Sequence, residues 1–291
     1  MADDLSLFQE TKQVLNDNGI SLKRSLGQNY LIDDFKRKKI IDFANLNKED
    51  VVLEIGPGIG TLSLKIAEKV KKLVVVEQDK KIFDILSKRI KAADLDNVEL
   101  LNGDAVKIDF PNFNKVVSNL PYQISSPITF KLLDYDFDYG ILTYQKEFAS
   151  RMVGKVNTKE YSRLSAMLYF KGDIDFLEKL SPSAFFPKPK VDSSVIKLTP
   201  KKDKEFIEYE KEYSTISKAI FQHKNKKIRN ALIDSRHILG YSDKNDIKGI
   251  FEELSNNDLF NKYLNSRTIN TPPEDILRLS KLFKPYLNLI Q

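Results

Sequence analysis

Short apolar runs alternate with stretches whose apolar residues recur at helical spacing, from Val51 to about Thr199. The runs predict buried β-strands at residues 51–53, 73–76, 98–101, 115–117 and 139–144. After Thr61, apolar side chains fall at helical spacing, at Leu62, Leu64, Ile66, Ala67 and Val70. This alternation predicts an α/β fold with a mostly parallel sheet and helices on both faces. Two further strands, at residues 173–180 and 194–198, are predicted to pair and close the sheet.

The pattern changes at a polar, charged run over residues 199–204. Beyond it the strand signals end, and apolar residues recur at helical spacing. We therefore predict two domains, an α/β domain over residues 1–203 and a small all-α domain over residues 204–291. Within the first domain, residues 1–33 are expected to form an amino-terminal extension that ends in a basic, glycine-containing loop.

Composition narrows the possible classes of function. The chain has no cysteine, which excludes disulfides and thiolate zinc sites and fits a cytoplasmic location. Two histidines leave little room for a histidine metal site or a His-based triad, so no metal is expected. The acidic start is unlike a secretory signal, and no apolar run approaches the length of a membrane span. A net charge of +6 permits a nucleic-acid partner without requiring one.

A glycine-rich turn over residues 54–60 follows the first predicted strand. Glycines between a strand and a helix let a ligand approach the backbone closely. Glu77 ends the second strand, 21 residues after Gly56, at a position suited to binding ribose hydroxyls. Asp104, after the third strand, is placed either to bind an adenine amine or to remain in solvent. Together these residues predict a nucleoside pocket at the carboxyl ends of parallel strands.

The spacing of the glycines separates two classes of nucleotide-binding protein. A dinucleotide fingerprint reads G-x-G-x-x-G, whereas here glycine recurs at 56, 58 and 60 and is missing at 61. The turn instead resembles the E-x-G-x-G-x-G turn of class I S-adenosylmethionine-dependent methyltransferases. Glu54, where this turn begins, is expected to brace it from behind the site.

The tetrapeptide Asn119-Leu120-Pro121-Tyr122 follows the fourth predicted strand. Its groups suit the binding of a flat exocyclic amine, because the Asn119 side-chain oxygen and the Leu120 carbonyl can each accept a hydrogen bond. Pro121 stiffens the turn, and Tyr122 offers a ring face on which a base can stack. An ordinary turn at the end of a strand would use the same residue types. Beside a nucleoside pocket, the tetrapeptide resembles that of the adenine amino-group methyltransferases acting on RNA.

Five ordered elements resemble those of the KsgA family of small-subunit ribosomal RNA adenine dimethyltransferases. They are residues 26–31, with Tyr30 where the family has Phe, the turn 54–58, the tetrapeptide 119–122, the proline-rich loop 183–193 and the basic segment 221–230. Gln123 and residues 144–148 resemble the archaeal and eukaryotic branch more than the bacterial one. The family implies a class I, Rossmann-like methyltransferase fold with a mostly parallel seven-stranded sheet and a small all-α carboxyl-terminal domain.

The resemblance implies which residues bind S-adenosylmethionine. Asn29 and Leu31 would close over the cofactor from the amino-terminal segment, and Gly56 would pass under its methionine part. Glu77 would bind the ribose hydroxyls, as its position already indicated, and Asp104 would bind the adenine amine, one of the two possibilities that its position left open.

It also implies which residues hold the target. Asn119 would contact both the methionine end of the cofactor and the target amine, within the catalytic tetrapeptide Asn119, Leu120, Pro121 and Tyr122. Since a stacked base cannot reach such a pocket, the target adenosine would be flipped out. Tyr122 and Phe185 are the candidates to sandwich its base, although a lone aromatic residue more often packs in a core.

The implied function is dimethylation of the exocyclic amines of two adjacent adenosines in the 3′-terminal hairpin loop of 16S rRNA, during ribosome biogenesis. The implied partner is the small ribosomal subunit, as an assembly intermediate, and a monomer is expected. One alternative is the erythromycin-resistance type of methyltransferase, which acts on large-subunit rRNA and more often reads N-I-P-Y. A second alternative is a mainly non-catalytic RNA-binding or ribosome-assembly factor.

Basic residues cluster near the start of the predicted helical domain, at Lys224, Lys226, Lys227 and Arg229. If a helix spans them, they spread over adjacent faces, which would suit several phosphates of a folded RNA. Lys23 and Arg24, in the amino-terminal loop, would extend this surface towards the pocket. A solvated helix face is the alternative interpretation of the cluster.

Overall fold

The structure is a computed structural model that describes residues 5–20 and 29–287. Two compact units are present. The first comprises Met1–Ala149 and Asp173–Pro200, and the second comprises Ser150–Gly172 and Lys201–Gln291. The single predicted division at residue 203 was therefore wrong for residues 150–172, which belong to the second unit. Within the described ranges, none of the helices is both long and apolar enough to cross a bilayer.

The central sheet has seven strands in the order β4-β3-β2-β5-β6-β9-β7, and a separate two-stranded sheet pairs β1 with β8. The strands are β1 (Tyr30–Leu31), β2 (Val51–Ile55), β3 (Lys72–Glu77), β4 (Val98–Asn102), β5 (Lys115–Asn119), β6 (Tyr139–Gln145), β7 (Gly172–Leu180), β8 (Phe185–Phe186) and β9 (Ser193–Pro200). Strands β2 to β6 pair in parallel, whereas β9 is antiparallel to β6. This topology confirms the predicted class I methyltransferase fold with a mostly parallel sheet.

The strand order reverses between β2 and β5, which are neighbours in the sheet but not in sequence. Chain leaving β2 turns towards β3 on one side, and β5 continues towards β6 on the other. Ligands of open α/β sheets bind in the crevice at such a reversal, outside the carboxyl ends of the strands. The topology therefore brings the turn after β2 and the tetrapeptide after β5 to one edge.

Helices precede and connect the strands of the first unit. They are α1 (Leu7–Asp17), α2 (Asp34–Phe43), α3 (Ser63–Ala67), α4 (Lys80–Ala92), α5 (Ser125–Leu132) and α6 (Lys146–Met152), which extends into the second unit. Asp79 caps α4, because its side chain accepts hydrogen bonds from the backbone N–H groups of Lys81 and Ile82. The helix predicted after Thr61 begins at Ser63, since the preceding residues are still in the turn.

The core of this unit holds the strand ends in place. Strand side chains such as Val52, Val75 and Val117 are fully buried and pack with helix residues such as Ile40 and Ile66. Each such burial stabilises the fold by about 1.5–3 kcal/mol. Because the strands are anchored along their length, the polar residues that follow them are held at the edge of the sheet.

The second unit contains α7 (Arg163–Lys171), α8 (Lys204–Glu208), α9 (Glu210–Phe221), α10 (Ile228–Asp234), α11 (Lys244–Glu253), α12 (Asp258–Asn265) and α13 (Pro273–Phe283). Residues 150–172 belong here because their side chains complete its core. The Phe170 ring stacks on Phe206 with centroids 4.8 Å apart, and the Tyr213 hydroxyl donates to the Ala166 carbonyl at 2.9 Å. These contacts explain why α7 packs with α8 and α9, although Ala166 and Tyr213 are 47 positions apart in sequence.

Candidate active site

A cavity of about 300 Å³ opens at the carboxyl ends of β2, β3, β4 and β5. Its walls come from the glycine turn, from the ends of β3 and β5, from the loop after β4 and from the start of β1. Six of the predicted site residues line it, namely Asn29, Gly56, Glu77, Asp104, Asn119 and Pro121. The structure thus brings these residues, predicted from separate parts of the chain, to one cavity.

The glycine turn packs so closely against its neighbours that a side chain would not fit. Gly56 and Gly58 have φ values of 67° and 56°, which L-residues with side chains rarely adopt. A Cβ at Gly56 would lie 2.8 Å from the Pro121 ring, and one at Gly58 would lie 2.5 Å from the Tyr30 ring. The turn is therefore wedged between the tetrapeptide and β1, with its backbone exposed to the cavity.

Glu77, the last residue of β3, is almost fully buried in the cavity wall. Its carboxylate accepts hydrogen bonds from the backbone N–H groups of Asp79, at 2.8 Å, and Gly58. These bonds lower the pKa of Glu77, but the loss of water on burial has the larger effect and raises the pKa above its usual value. A ligand hydroxyl that donates to this carboxylate would replace part of the lost hydration.

Asp104 lies in the loop after β4 and is partly buried. One carboxylate oxygen accepts from the backbone N–H of Val106 at 2.9 Å, and the other lies 3.7 Å from the Lys107 ammonium. The turn fixes the carboxylate at the edge of the cavity, where a second hydrogen-bond donor can reach it.

Asn119 ends β5 and connects the tetrapeptide to the amino-terminal segment. Its Nδ2 group donates to the backbone carbonyl of Asn29 at 3.0 Å. Its Oδ1 atom is buried and has no hydrogen-bond partner among the residues that the structure describes. A buried acceptor of this kind is costly unless a ligand supplies the donor. The side chain is thus oriented by its amide nitrogen and has an unmet acceptor in its amide oxygen.

Tyr122 stands beside this cavity in a 3₁₀ turn, over Tyr122–Ile124, that begins after Pro121. Its hydroxyl is hydrogen-bonded to the Ser193 hydroxyl at the start of β9, with the oxygens 2.7 Å apart. Burial raises the pKa of Tyr122, so the hydroxyl stays protonated at neutral pH. The ring is half-buried, and the bond to Ser193 fixes its position.

Three residues given roles by the resemblance have their side chains in the core. Phe185 is fully buried and pairs with Leu31 across the β1–β8 sheet, so neither of its ring faces is open to a base. The predicted stacking role of Phe185 was therefore wrong. Leu31 is also buried in that core and does not line the cavity, whereas its neighbour Tyr30 does. The Leu120 side chain is buried too, which leaves its backbone carbonyl as the relevant group.

Glu54 lies in the wall of the cavity, whereas its position predicted only a bracing role behind the site. It lines the cavity, is 1% exposed, and has one carboxylate oxygen without a hydrogen-bond partner among the described residues. Burial, reinforced by the charge of Glu77, raises the pKa of Glu54 to about 8. The sequence shows an acidic residue before the glycine turn, but the burial of this residue depends on how the turn packs against β1 and the tetrapeptide after β5.

The pKa of Glu54 leads to a prediction about stability. Because the ligand-free folded state holds this proton more tightly than the unfolded chain, its stability should fall as pH rises from about 4.5 to about 8. The fall amounts to at most about 1.4 kcal/mol per pH unit. Glu54→Gln should remove this contribution, so that the stability of the variant should increase relative to that of the wild type as pH rises. Thermal unfolding of both proteins at pH 5, 6.5 and 8 measures this, and parallel curves would contradict the assignment.

The basic cluster has a different local structure from the predicted helix. Helix α9 ends at Phe221 and α10 begins at Ile228, so Lys224, Lys226 and Lys227 lie in the connection between them. Turn hydrogen bonds stabilise this connection, including one from the Lys226 N–H to the His223 carbonyl at 2.8 Å. The helical-face argument for these residues was wrong.

The side chains of the basic cluster differ in their contacts and in their exposure. The Lys224 ammonium donates to the Lys159 carbonyl at 2.9 Å, and the Lys226 ammonium pairs with Asp234 at 2.7 Å. Lys227 and Arg229 are exposed, and the Arg229 guanidinium lies 5.7 Å from the centroid of the Phe251 ring. Lys23 and Arg24 lie outside the described residues.

Comparison with known proteins adds to this geometry. A family model described as ribosomal RNA adenine dimethylase matches residues 19–255. A curated relative from the archaeon Methanothermobacter thermautotrophicus, the probable ribosomal RNA small subunit methyltransferase A, is 45% identical over 279 residues. The match covers 94% of this chain and 96% of the relative. Both matches include the cavity and most of the second unit.

Two solved structures are similar over most of the chain. A dimethyladenosine transferase from Plasmodium falciparum superposes with a TM-score of 0.74 and 30% identity, covering 87% of this chain and 97% of that one. The 23S rRNA methyltransferase ErmE, at 24% identity and a TM-score of 0.60, covers 88% of this chain and all of its own, and shares the fold. The predicted resemblance to KsgA is confirmed, and the chain belongs to the ribosomal RNA adenine dimethylase family of methyltransferases.

Proposed function

We propose that this protein transfers methyl groups from S-adenosylmethionine to the exocyclic amines of two adjacent adenosines in small-subunit rRNA. The observation that carries the proposal is the position of Asn119. Its buried, unpartnered Oδ1 atom lies in the wall of a cavity that also contains a glycine turn and two carboxylates, Glu77 and Asp104. The Plasmodium structure named as a dimethyladenosine transferase supports the same chemistry.

The residues of the cavity fit S-adenosylmethionine. Gly56 and Gly58 line the cavity with backbone alone, because the Pro121 and Tyr30 rings fill the space that a side chain would need, so a ligand can lie along the backbone. Glu77, at the end of β3, would accept from ribose hydroxyls, and Asp104 would accept from the adenine amine. Asn29 would cover the ligand from the amino-terminal side, where its carbonyl already orients Asn119. When bound, the cofactor supplies an electrophilic methyl group on a sulfonium.

The tetrapeptide would hold the nucleophile. The Asn119 Oδ1 atom and the Leu120 carbonyl each accept a hydrogen bond from the target amine, which favours its pyramidal, nucleophilic form. The bond from Asn119 Nδ2 to the Asn29 carbonyl keeps the acceptor aimed at the amine. Most of the acceleration comes from this positioning, and the amine proton leaves to solvent.

Tyr122 would stack on the flipped-out base, since the Ser193 hydrogen bond fixes its ring beside the cavity. Because Phe185 is buried in the core, Tyr122 alone of the two predicted aromatic residues would stack on the base, from one side. The exposed Lys227 and Arg229 are the members of the basic cluster best placed to contact RNA phosphates, because Lys224 and Lys226 are engaged within their own unit.

A small-subunit rRNA target is favoured over a large-subunit one. The archaeal relative is named for the small subunit, and Leu120 stands where the erythromycin-resistance type more often has Ile. The complete set of cavity residues favours an enzyme over a purely non-catalytic assembly factor. Action as a monomer on an assembly intermediate, in the cytoplasm, stays a prediction.

Transfer of labelled methyl groups to isolated ribosomal subunits tests this function. Subunits that lack their own adenine methylation are incubated with the protein and labelled S-adenosylmethionine. We expect incorporation into small-subunit rRNA and background levels in large-subunit rRNA. Equal or preferential labelling of the large subunit would favour the erythromycin-resistance type, and cofactor binding without labelling of either would favour an assembly factor.

A further inference from the structure

We infer that the hydroxyl of Tyr30 binds a ribose hydroxyl of the cofactor, so that Tyr30 and Glu77 form the ribose end of the site together. The inference rests on the proposed S-adenosylmethionine site and adds one residue to it. The family element that residues 26–31 resemble has Phe at this position, so Tyr30 carries a hydroxyl that the family pattern lacks.

The position of Tyr30 places its side chain against the glycine turn. It belongs to β1, pairs with Phe186 of β8, and is 5% exposed. Its ring is so close to Gly58 that a Cβ there would lie 2.5 Å from it, and the same Gly58 donates its N–H to Glu77. Tyr30 and Glu77 therefore contact one glycine from two sides, in the wall of one cavity.

The hydroxyl of Tyr30 is buried and has no hydrogen-bond partner within residues 5–20 and 29–287. Buried hydroxyls are nearly always hydrogen-bonded, and an unmet one costs about 1–3 kcal/mol. The packing of the ring against the turn holds the Tyr30 side chain in the cavity wall despite this cost. Side-chain adjustments of the size that commonly accompany ligand binding would bring it to a ligand.

The charges around Tyr30 indicate which ligand group it would bind. Burial and the carboxylates of Glu77 and Asp79 raise its pKa, so the phenol remains a donor at neutral pH. Two neighbouring carboxylates disfavour an anionic group such as a ligand carboxylate. A ligand hydroxyl suits both partners, since it can accept from Tyr30 while it donates to Glu77. Among the parts of S-adenosylmethionine, the ribose offers such hydroxyls.

Tyr30→Phe tests the inference because it removes the hydroxyl and keeps the ring. Calorimetry should show about five- to tenfold weaker binding of S-adenosylmethionine and S-adenosylhomocysteine. Wild-type protein should also prefer adenosine to at least one of 2′-deoxyadenosine and 3′-deoxyadenosine, and Tyr30→Phe should reduce that preference by the same factor. Without ligand, the variant should unfold at the same or a higher temperature, since it loses an unpartnered buried hydroxyl.

Tyr161→Phe is the matched control. The Tyr161 hydroxyl is buried and donates to the Thr271 carbonyl at 2.7 Å, so its loss should lower the unfolding temperature and leave cofactor affinity unchanged. Unchanged affinity in Tyr30→Phe, or equal weakening for adenosine and both deoxyadenosines, would overturn the inference while leaving the proposed function intact. Failure of the wild type to bind S-adenosylmethionine would overturn the proposed function as well.

Discussion

Replacement of Asn119 by alanine is expected to lower the single-turnover rate of methyl transfer by at least about tenfold. The variant loses the Oδ1 acceptor in the cavity wall and the Nδ2 bond to the Asn29 carbonyl that orients it. RNA binding should remain nearly intact, because the exposed basic side chains lie elsewhere in the chain. Rates measured with saturating cofactor and RNA report the chemical step separately from binding.

Asn97→Ala provides a matched control for this variant. Asn97 also uses its side-chain amide to bind backbone carbonyls, at 2.9 Å and 3.0 Å from those of Ala67 and Val70, but it does not line the cavity. We expect Asn97→Ala to lower stability and to leave the single-turnover rate of the folded protein unchanged. An unaltered rate in folded Asn119→Ala would remove Asn119 from the chemistry.

Replacement of Glu77 by alanine is expected to weaken S-adenosylmethionine binding by about 1–3 kcal/mol. The reason is that ribose hydroxyls would lose a charged acceptor that is almost fully buried and preoriented by the N–H groups of Asp79 and Gly58. Calorimetric titration of the folded variant measures the loss directly.

Glu99→Ala is the control for a lost carboxylate. Glu99 lies on the neighbouring strand β4, pairs with Lys72 at 2.7 Å, is partly exposed and does not line the cavity, so its removal should not change cofactor affinity. Equal affinities for the wild type and folded Glu77→Ala would mean that another group binds the ribose.

Local patterns in the sequence were sufficient to predict the parallel sheet and most of the predicted residues that line the cavity, whereas Asn29 was predicted from the family resemblance. Buried parallel strands appear as short apolar runs, and residues that follow them meet at one edge whatever their distance in sequence. Glu77 and Asn119 were therefore predictable from position alone. The glycine turn was predictable because its positive φ values restrict the residue type.

The errors concern residues whose environment depends on contacts distant in sequence. Phe185 is in the core because β8 pairs with β1, a contact between segments more than 150 residues apart. Residues 150–172 belong to the second unit because Phe170 and Ala166 contact Phe206 and Tyr213. Glu54 has a raised pKa because the surrounding strands exclude water from it. Composition and hydrophobic periodicity do not indicate which distant residues come into contact.

The most direct test of the central claim is the identity of the methylated nucleoside. Small-subunit rRNA without adenine dimethylation is treated with the wild-type protein and S-adenosylmethionine, digested, and examined by mass spectrometry. The account predicts dimethylated adenosine carrying both methyl groups on the exocyclic amine, at two adjacent positions, and its loss with Asn119→Ala. Methyl groups on a ring nitrogen, a ribose or another base would contradict it, as would unmethylated RNA from a folded protein that binds the cofactor.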